Sequence, residues 1–138
     1  PDAYYTLGHA LAHSGQYAES EEPFQQAIDL NPLDHGVEYR SGLYFSKLGV
    51  GDYEAALAII DQCLAQFPNW GLYRGFKAAV MGYLEKEDEA KQALDDYLTL
   101  RPNLKTREDF IKIFVPNSAL ANILIEGLIK AGWQPEEV

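Results

Sequence analysis

Three stretches of this chain close in the same way: "QQAIDLNP" at Pro32, "DQCLAQFP" at Pro68 and "DDYLTLRP" at Pro102, 36 and 34 residues apart. Recurrence at a near-fixed period constrains a fold more than any single motif, because each period must be one supersecondary unit. Ahead of each proline runs a set of apolar or small residues in steps of four and three: Ser20, Phe24 and Ala27; Ala56, Ile60 and Cys63; Ala90, Leu94 and Tyr97. Those steps mark one face of a helix. Another helical pattern precedes each set, joined to it by "SGQY", "LGVGDY" or "LEKEDE". Gly15 and Gly49 are placed to end first helices in the left-handed conformation. Each proline stops a second helix, since it lacks an N–H and restricts the residue before it.

The unit is helix, turn, helix, stop, at about 34 residues, and it resembles the tetratricopeptide repeat. The first copy carries the pattern most fully, in Tyr4, Leu7, Gly8, Leu11, Gly15, Tyr17, Ser20, Phe24, Ala27 and Pro32. The second keeps Gly42, Phe45, Gly49, Tyr53, Ala56, Ile60 and Pro68, with Val50-Gly51 as two extra residues in its turn and the polar Glu38 and Ser41 at apolar places. In the third, Ala78, Met81, Ala90, Leu94 and Pro102 fit, while Arg74 and Lys77 stand at apolar places and Tyr73, Phe76, Val80 and Leu84 suggest a stripe shifted by one residue. The expected fold is all-α: a single domain over 1–138, a right-handed superhelix of repeats at about 1–34, 35–70 and 71–104. A two-helix cap over 105–138 closes it, because a stack of hairpins needs an end.

Within the cap, Thr106 and Asp109 form a capping pattern for a helix reaching about Phe114, and Val115-Pro116 breaks it. Asn117 or Ser118 then opens a helix that Gly132 closes. That last helix, "ALANILIEGLIKAG", is apolar nearly all round. One explanation is burial on two sides. The other is a dimer or domain contact through Ile125, Ile129 and Trp133. The tail, "IEGLIKAGW" above all, is similar to tetratricopeptide regions attached to bacterial class III nucleotide cyclases and winged-helix regulators, which implies an accessory regulatory role beside another domain.

The resemblance implies a non-catalytic protein–protein interaction module, or scaffold, whose first helices line a concave groove for a peptide or helix. Its inner positions fall on Tyr5, His9 and His13, on Tyr39, Arg40 and Leu43, and on Phe76, Ala79 and Tyr83. Aromatic and Arg side chains of this kind carry binding energy; alternatively, the rings pack on neighbouring helices or under a cap folded into the groove. In the first helix the core stripe is taken as Tyr4, Leu7, Gly8 and Leu11, with His9 and His13 about 150° from its centre. Places that grip terminal carboxylates in one subfamily hold Tyr5, His9, Arg40, Leu72 and Phe76, of which only Arg40 suits an anion. An apolar or aromatic-reading groove is expected instead.

Charge narrows the partners. With 21 acids against 11 Lys and Arg, a net charge of −10 disfavours nucleic acid and anionic membrane. No apolar run is long enough to span a bilayer and no start resembles a signal peptide, so a cytoplasmic setting is expected. His9 and His13 share a helix face, but with only His35 besides them they fall short of the three or four ligands of a zinc site. No metal, cofactor or catalytic residue is expected; the histidine pair is read as groove lining that titrates near neutrality. Cys63, at a small-residue core position, is expected to be a buried, inert thiol.

Overall fold

The structure, a computed structural model, describes residues 2–32, 36–113 and 119–136, the side chains of 36–38 excepted. The expected break at Val115-Pro116, the helix start at Asn117 or Ser118, and His35 lie outside the described residues. Those described form eight helices and no strand: α1 (Asp2–His13), α2 (Tyr17–Leu30), α3 (Gly36–Gly49), α4 (Tyr53–Gln66), α5 (Gly71–Tyr83), α6 (Glu87–Leu100), α7 (Arg107–Ile111) and α8 (Ala119–Lys130). Glycine or proline stands at or just past the ends of α1 to α4, α6 and α8, while α5 ends ahead of Glu85. The fold is all-α, with helices packed in sequential order, and the chain divides into two compact units, Pro1–Pro68 and Asn69–Val138.

In the first unit α1 packs on α2, α2 on α3 and α3 on α4, with a lighter contact between α1 and α3. Its keystone is Phe24, fully buried, whose ring edge lies where Cβ atoms on both Gly8 and Gly42 would fall. Two neighbouring helices thus approach one ring closely because neither has a side chain there. Ser20 and Ser46 share a hydrogen bond of 2.6 Å across the buried α2–α3 contact. Pro23 sits inside α2 and removes the N–H that would bond the fourth preceding carbonyl, so packing holds this helix against its own propensity.

The turns after α1 and α3 are the same object. Gln16 N–H donates to the Leu11 carbonyl and Gly15 N–H to Ala12; Asp52 N–H donates to Lys47 and Gly51 N–H to Leu48. Gly15 and Gly51 both have φ of +84°, the left-handed residue of a Schellman ending. Gly51, not Gly49, therefore makes the second turn. Gly49 is the last residue of α3, and the Tyr17 ring occupies the place its Cβ would take. The two extra residues lengthen α3 rather than the loop.

In the second unit α5 is the central helix, packed on α6 and on α8. Its residues from Gly75 to Gly82, Lys77 apart, are buried. Both stripes considered for the third repeat, Ala78 with Met81 and Phe76 with Val80, are buried together, since helices cover α5 on two sides. The α5–α8 crossing is close: a Cβ on Gly82 would lie 2.1 Å from the Gly127 carbonyl oxygen, and one on Gly127 would lie 2.5 Å from that of Ala79. Tyr97 stands where the other hairpins have the small Ala27 and Cys63, and its ring fits over Gly75. The α7 start carries the expected box, with Asp109 N–H donating to Thr106 Oγ1 at 3.1 Å and Thr106 N–H to Asp109 Oδ2 at 2.9 Å. Gly132, φ +119°, closes α8 as expected. Beyond it Thr106 and Glu136 make one isolated parallel bridge.

Candidate interaction site

The α1 surface faces its neighbours one residue out of the expected register. Gly8 and Ala12 are buried and Tyr5 and His9 half-buried, whereas Tyr4 and Leu7, expected in the core, are 38% and 49% exposed. The reason lies in α3, which packs against α2 and touches α1, so the inward direction of α1 points at rings on two helices. Tyr5 lies 5.1 Å from the Tyr39 ring, centre to centre, and 4.5 Å edge-on from His9. His9 lies 5.3 Å from Phe24 and 5.9 Å from Phe45, and is stacked at 5.5 Å on His13.

This cluster decides the chemistry of the histidine pair. His9 Nδ1 is 3.4 Å from His13 Nε2, the reach of a weak hydrogen bond, and His9 Nε2 is buried without a partner. Aromatic edges cannot solvate an imidazolium. Burial first, and the neighbouring His13 second, lower the His9 pKa to about 4. His13 is lowered too, by burial. The expectation of a pair titrating near neutrality is therefore corrected for His9, which stays neutral through that range. Among the described residues, no group of three or more His, Cys, Asp or Glu is placed to hold a metal ion.

The other expected groove residues divide by burial. Tyr39 is 1% exposed and its hydroxyl donates to Asp2 Oδ1 at 2.9 Å, tying α3 to the start of α1. It is a core residue, not an open wall. Arg40 and Leu43 are half-buried. The Arg40 guanidinium is near enough to Cys63 to favour its thiolate slightly, but burial wins and raises that pKa to about 11, so the thiol is inert.

In the second unit α8 packs on α5, where a groove was expected. Phe76 is 1% exposed and Ala79 fully buried; Tyr83, half-buried, donates its hydroxyl to the Ile123 carbonyl at 2.6 Å with Lys130 Nζ 5.9 Å above its ring. Phe76 and Ala79 are thus corrected to core positions. The same packing corrects the apolar contact read from the last helix. Ile125 is 1% and Trp133 5% exposed, Trp133 beside Phe110 at 6.4 Å, and Ile129 is half-buried. An all-round apolar helix is what burial between α5 and the α7 segment requires.

Two surface features went unnoticed in the sequence. One is an open cleft of about 310 Å³ in the third hairpin, whose lining includes Arg74, Lys77, Met81, Glu89 and Asp96. Arg74 stands 3.8 Å from the Asp96 carboxylate across it. The polar residues at apolar places in "YRGFKAAVM" were its signal. The other is the exposed apolar set of Tyr4, Leu7 and Leu30 on the first hairpin. Its signal was the absence of any Lys or Arg before Arg40, which leaves that set among acids.

No helix among the described residues is long and apolar enough to cross a membrane. No curated protein sequence matches the chain. Residues 1–33 match the family model described as tetratricopeptide repeat, which is the span of α1, the Gly15 turn, α2 and Pro32. The first hairpin is thus similar to the repeat of that family, and the sequential packing of the helices that follow agrees with the likeness.

Proposed function

We propose that this chain is a non-catalytic protein-interaction module that holds a peptide or helix against the α1–α3 side of its first unit. Repeats of the matched family serve protein–protein interaction. The observation that carries the reading is the part-exposed set Tyr5, His9 and His13 on α1 with Arg40 and Leu43 on α3, two helices in contact. Aromatic and guanidinium groups held by packed helices contribute binding energy at low entropic cost. Tyr39 supports this wall from behind, through its bond to Asp2. Because His9 is neutral, a ligand there meets an apolar, aromatic surface with one cation, Arg40, to orient it.

The test is selection of peptides from a displayed library on the purified chain, followed by affinity measurement on Arg40→Glu and Leu43→Ser variants. Loss of about tenfold or more in both is expected for a site on this wall. Selected peptides that bind both variants as tightly as the parent would show that the wall is not the site. A regulatory role beside another domain rests on the likeness of the tail alone. It draws no support from Ile125 and Trp133, whose surfaces are spent inside the second unit.

A further inference from the structure

A cleft of about 390 Å³ in the second unit is lined within one stretch, 100–113, which runs from the last residue of α6 through a turn and α7 to Ile113. Local bonds build it. Pro102 cannot continue α6, and the Leu104 N–H turns back to the Arg101 carbonyl at 3.0 Å. The Asp109 carboxylate fixes the start of α7, its Oδ2 accepting the Lys105 and Thr106 N–H groups, each at 2.9 Å. From the tail, the Glu136 N–H donates to the Lys105 carbonyl at 2.7 Å, which ties the turn to the rest of the unit. Aliphatic side chains stay open in this frame. Leu100 is 41% and Ile113 40% exposed, and Leu104 of the turn is half-buried.

The charge around the cleft runs against that of the chain. Residues 100–113 hold four of the 11 Lys and Arg (Arg101, Lys105, Arg107 and Lys112) and only two of the 21 acids, Glu108 and Asp109. Asp109, the acid in the lining, is committed to its two backbone N–H groups, which hold its carboxyl below the usual carboxylate range. Arg101 and Lys112, also in the lining, are both exposed. Arg101 has a further bias. Its Nε lies 2.8 Å from the place a Cβ on Gly71 would take, at the start of α5, a helix with no acid in its first turn and no side-chain cap. A guanidinium and the positive end of a helix thus stand together, and each favours an anion.

We propose that this cleft docks a short acidic segment of a partner protein, one aliphatic side chain seated among Leu100, Leu104 and Ile113 with a carboxylate on each side of it, toward Arg101 and Lys112. The volume is at the small end of ligand sites, so it takes one anchor and its flanking backbone rather than a whole helix. An anionic membrane also offers apolar and acidic groups, but it meets a chain as a plane, and a net charge of −10 opposes that approach. A short peptide meets only the local field, since charges beyond about 8–10 Å are screened. The cleft belongs to the second unit and shares no residue with the α1–α3 wall.

The probe is an end-capped peptide, Gly-Glu-Glu-Leu-Glu-Glu-Gly-Gly, compared with one carrying Lys for every Glu and one carrying Gly for the Leu. Amide shifts of the full chain are followed on titration at ~0.15 M salt, where unfocused charge attraction is screened. Expected are shifts centred on Leu100, Leu104 and Ile113, with affinity about tenfold weaker for both control peptides and for the Lys112→Glu, Ile113→Ser double variant. Both substituted side chains are exposed, so the melting of that variant should match the parent. Arg101→Gln should weaken binding from the other end of the cleft. Equal binding of either control peptide, shifts centred on the α1–α3 wall, full affinity in the double variant, or no shifts at ~1 mM peptide would overturn the proposal. So would binding to phosphatidylserine vesicles, or self-association, that the double variant abolishes, since the occupant would then be a membrane or a second copy.

Discussion

Replacing Gly42 with alanine adds one methyl group, and the surroundings determine its sign. In a helix interior the change should stabilise by about 1 kcal/mol, the propensity gap between the two residues. Here the new carbon would fall 2.3, 2.5 and 2.8 Å from Cε1, Cδ1 and Cζ of Phe24. Real carbons do not approach so closely, so either α3 or the ring must move. The ring has little room: its same edge already meets Gly8 of α1, where a Cβ would come within 2.7 Å, and the Tyr5 and His9 rings stand 6.0 and 5.3 Å away. Overpacking of this kind costs about 1–3 kcal/mol beyond any propensity gain. We expect Gly42→Ala to lose about 1–2 kcal/mol of stability, and Phe24→Leu, costly alone, to remove most of that penalty in the double variant. Urea unfolding followed by far-UV circular dichroism gives the free energies, and hydrogen exchange in α1 to α3 assigns them to the first unit. A Gly42→Ala protein as stable as the parent, or more stable, would refute the reasoning, as would additive effects of the two substitutions.

His9 makes the larger contribution to the pH dependence of the histidine pair, and His13, lowered by burial as well, acts in the same direction. The folded pKa of His9, about 4, lies below the 6.5 of the unfolded chain, so the unfolded state takes up the proton first as pH falls. The stability that His9 contributes is complete above about pH 6.5 and is lost as pH falls toward 4, about 1–3 kcal/mol after allowance for partial solvent screening; unfolding measured across that range should show a shallower slope in His9→Gln, and a shallower one still with His13→Gln added. The Tyr97 hydroxyl is buried without a hydrogen-bond partner and its pKa is raised to about 12 by burial, partly offset by Arg101, so Tyr97→Phe should gain about 1 kcal/mol in thermal unfolding. Glu85 takes the left-handed place, φ +60°, that glycine holds in the other two hairpin turns; Glu85→Gly should raise the melting temperature of the second unit, by about 0.5–1 kcal/mol of stability, where alanine there would not.

Most of the local structure was legible because its signals are local. Prolines 32, 68 and 102, Gly15 and Gly132, and the Thr106–Asp109 pair act on backbone within a few residues, and the helices end where these residues require. The facing of those helices was less legible. Tyr4, Tyr5, Leu7 and His9 can each sit inside or outside, because Tyr and His are apolar rings with polar tips. Which of two adjacent stripes turned inward was decided by α3, whose Tyr39 and Phe45 are far along the chain. The groove failed for the same reason in the second unit. Phe76 and Ala79 are buried and Tyr83 bonds the Ile123 carbonyl, because α8, from about forty residues later, lies on α5. Periodicity reports that a face is apolar; it does not report which distant element will claim it.

The lengthened α3 also bears on how such a chain can change. The second repeat is two residues longer than the first, yet the turns at Gly15 and Gly51 keep the same hydrogen bonds and the same φ. The added length, about 3 Å of helix, went into a rigid element, and the Tyr17 ring lies against its end at Gly49. Insertions are usually looked for in loops, as slack between fixed parts. Between these two hairpins the joint is the constant piece and the strut is adjustable, so the shift in repeat period there is a longer beam rather than a looser hinge.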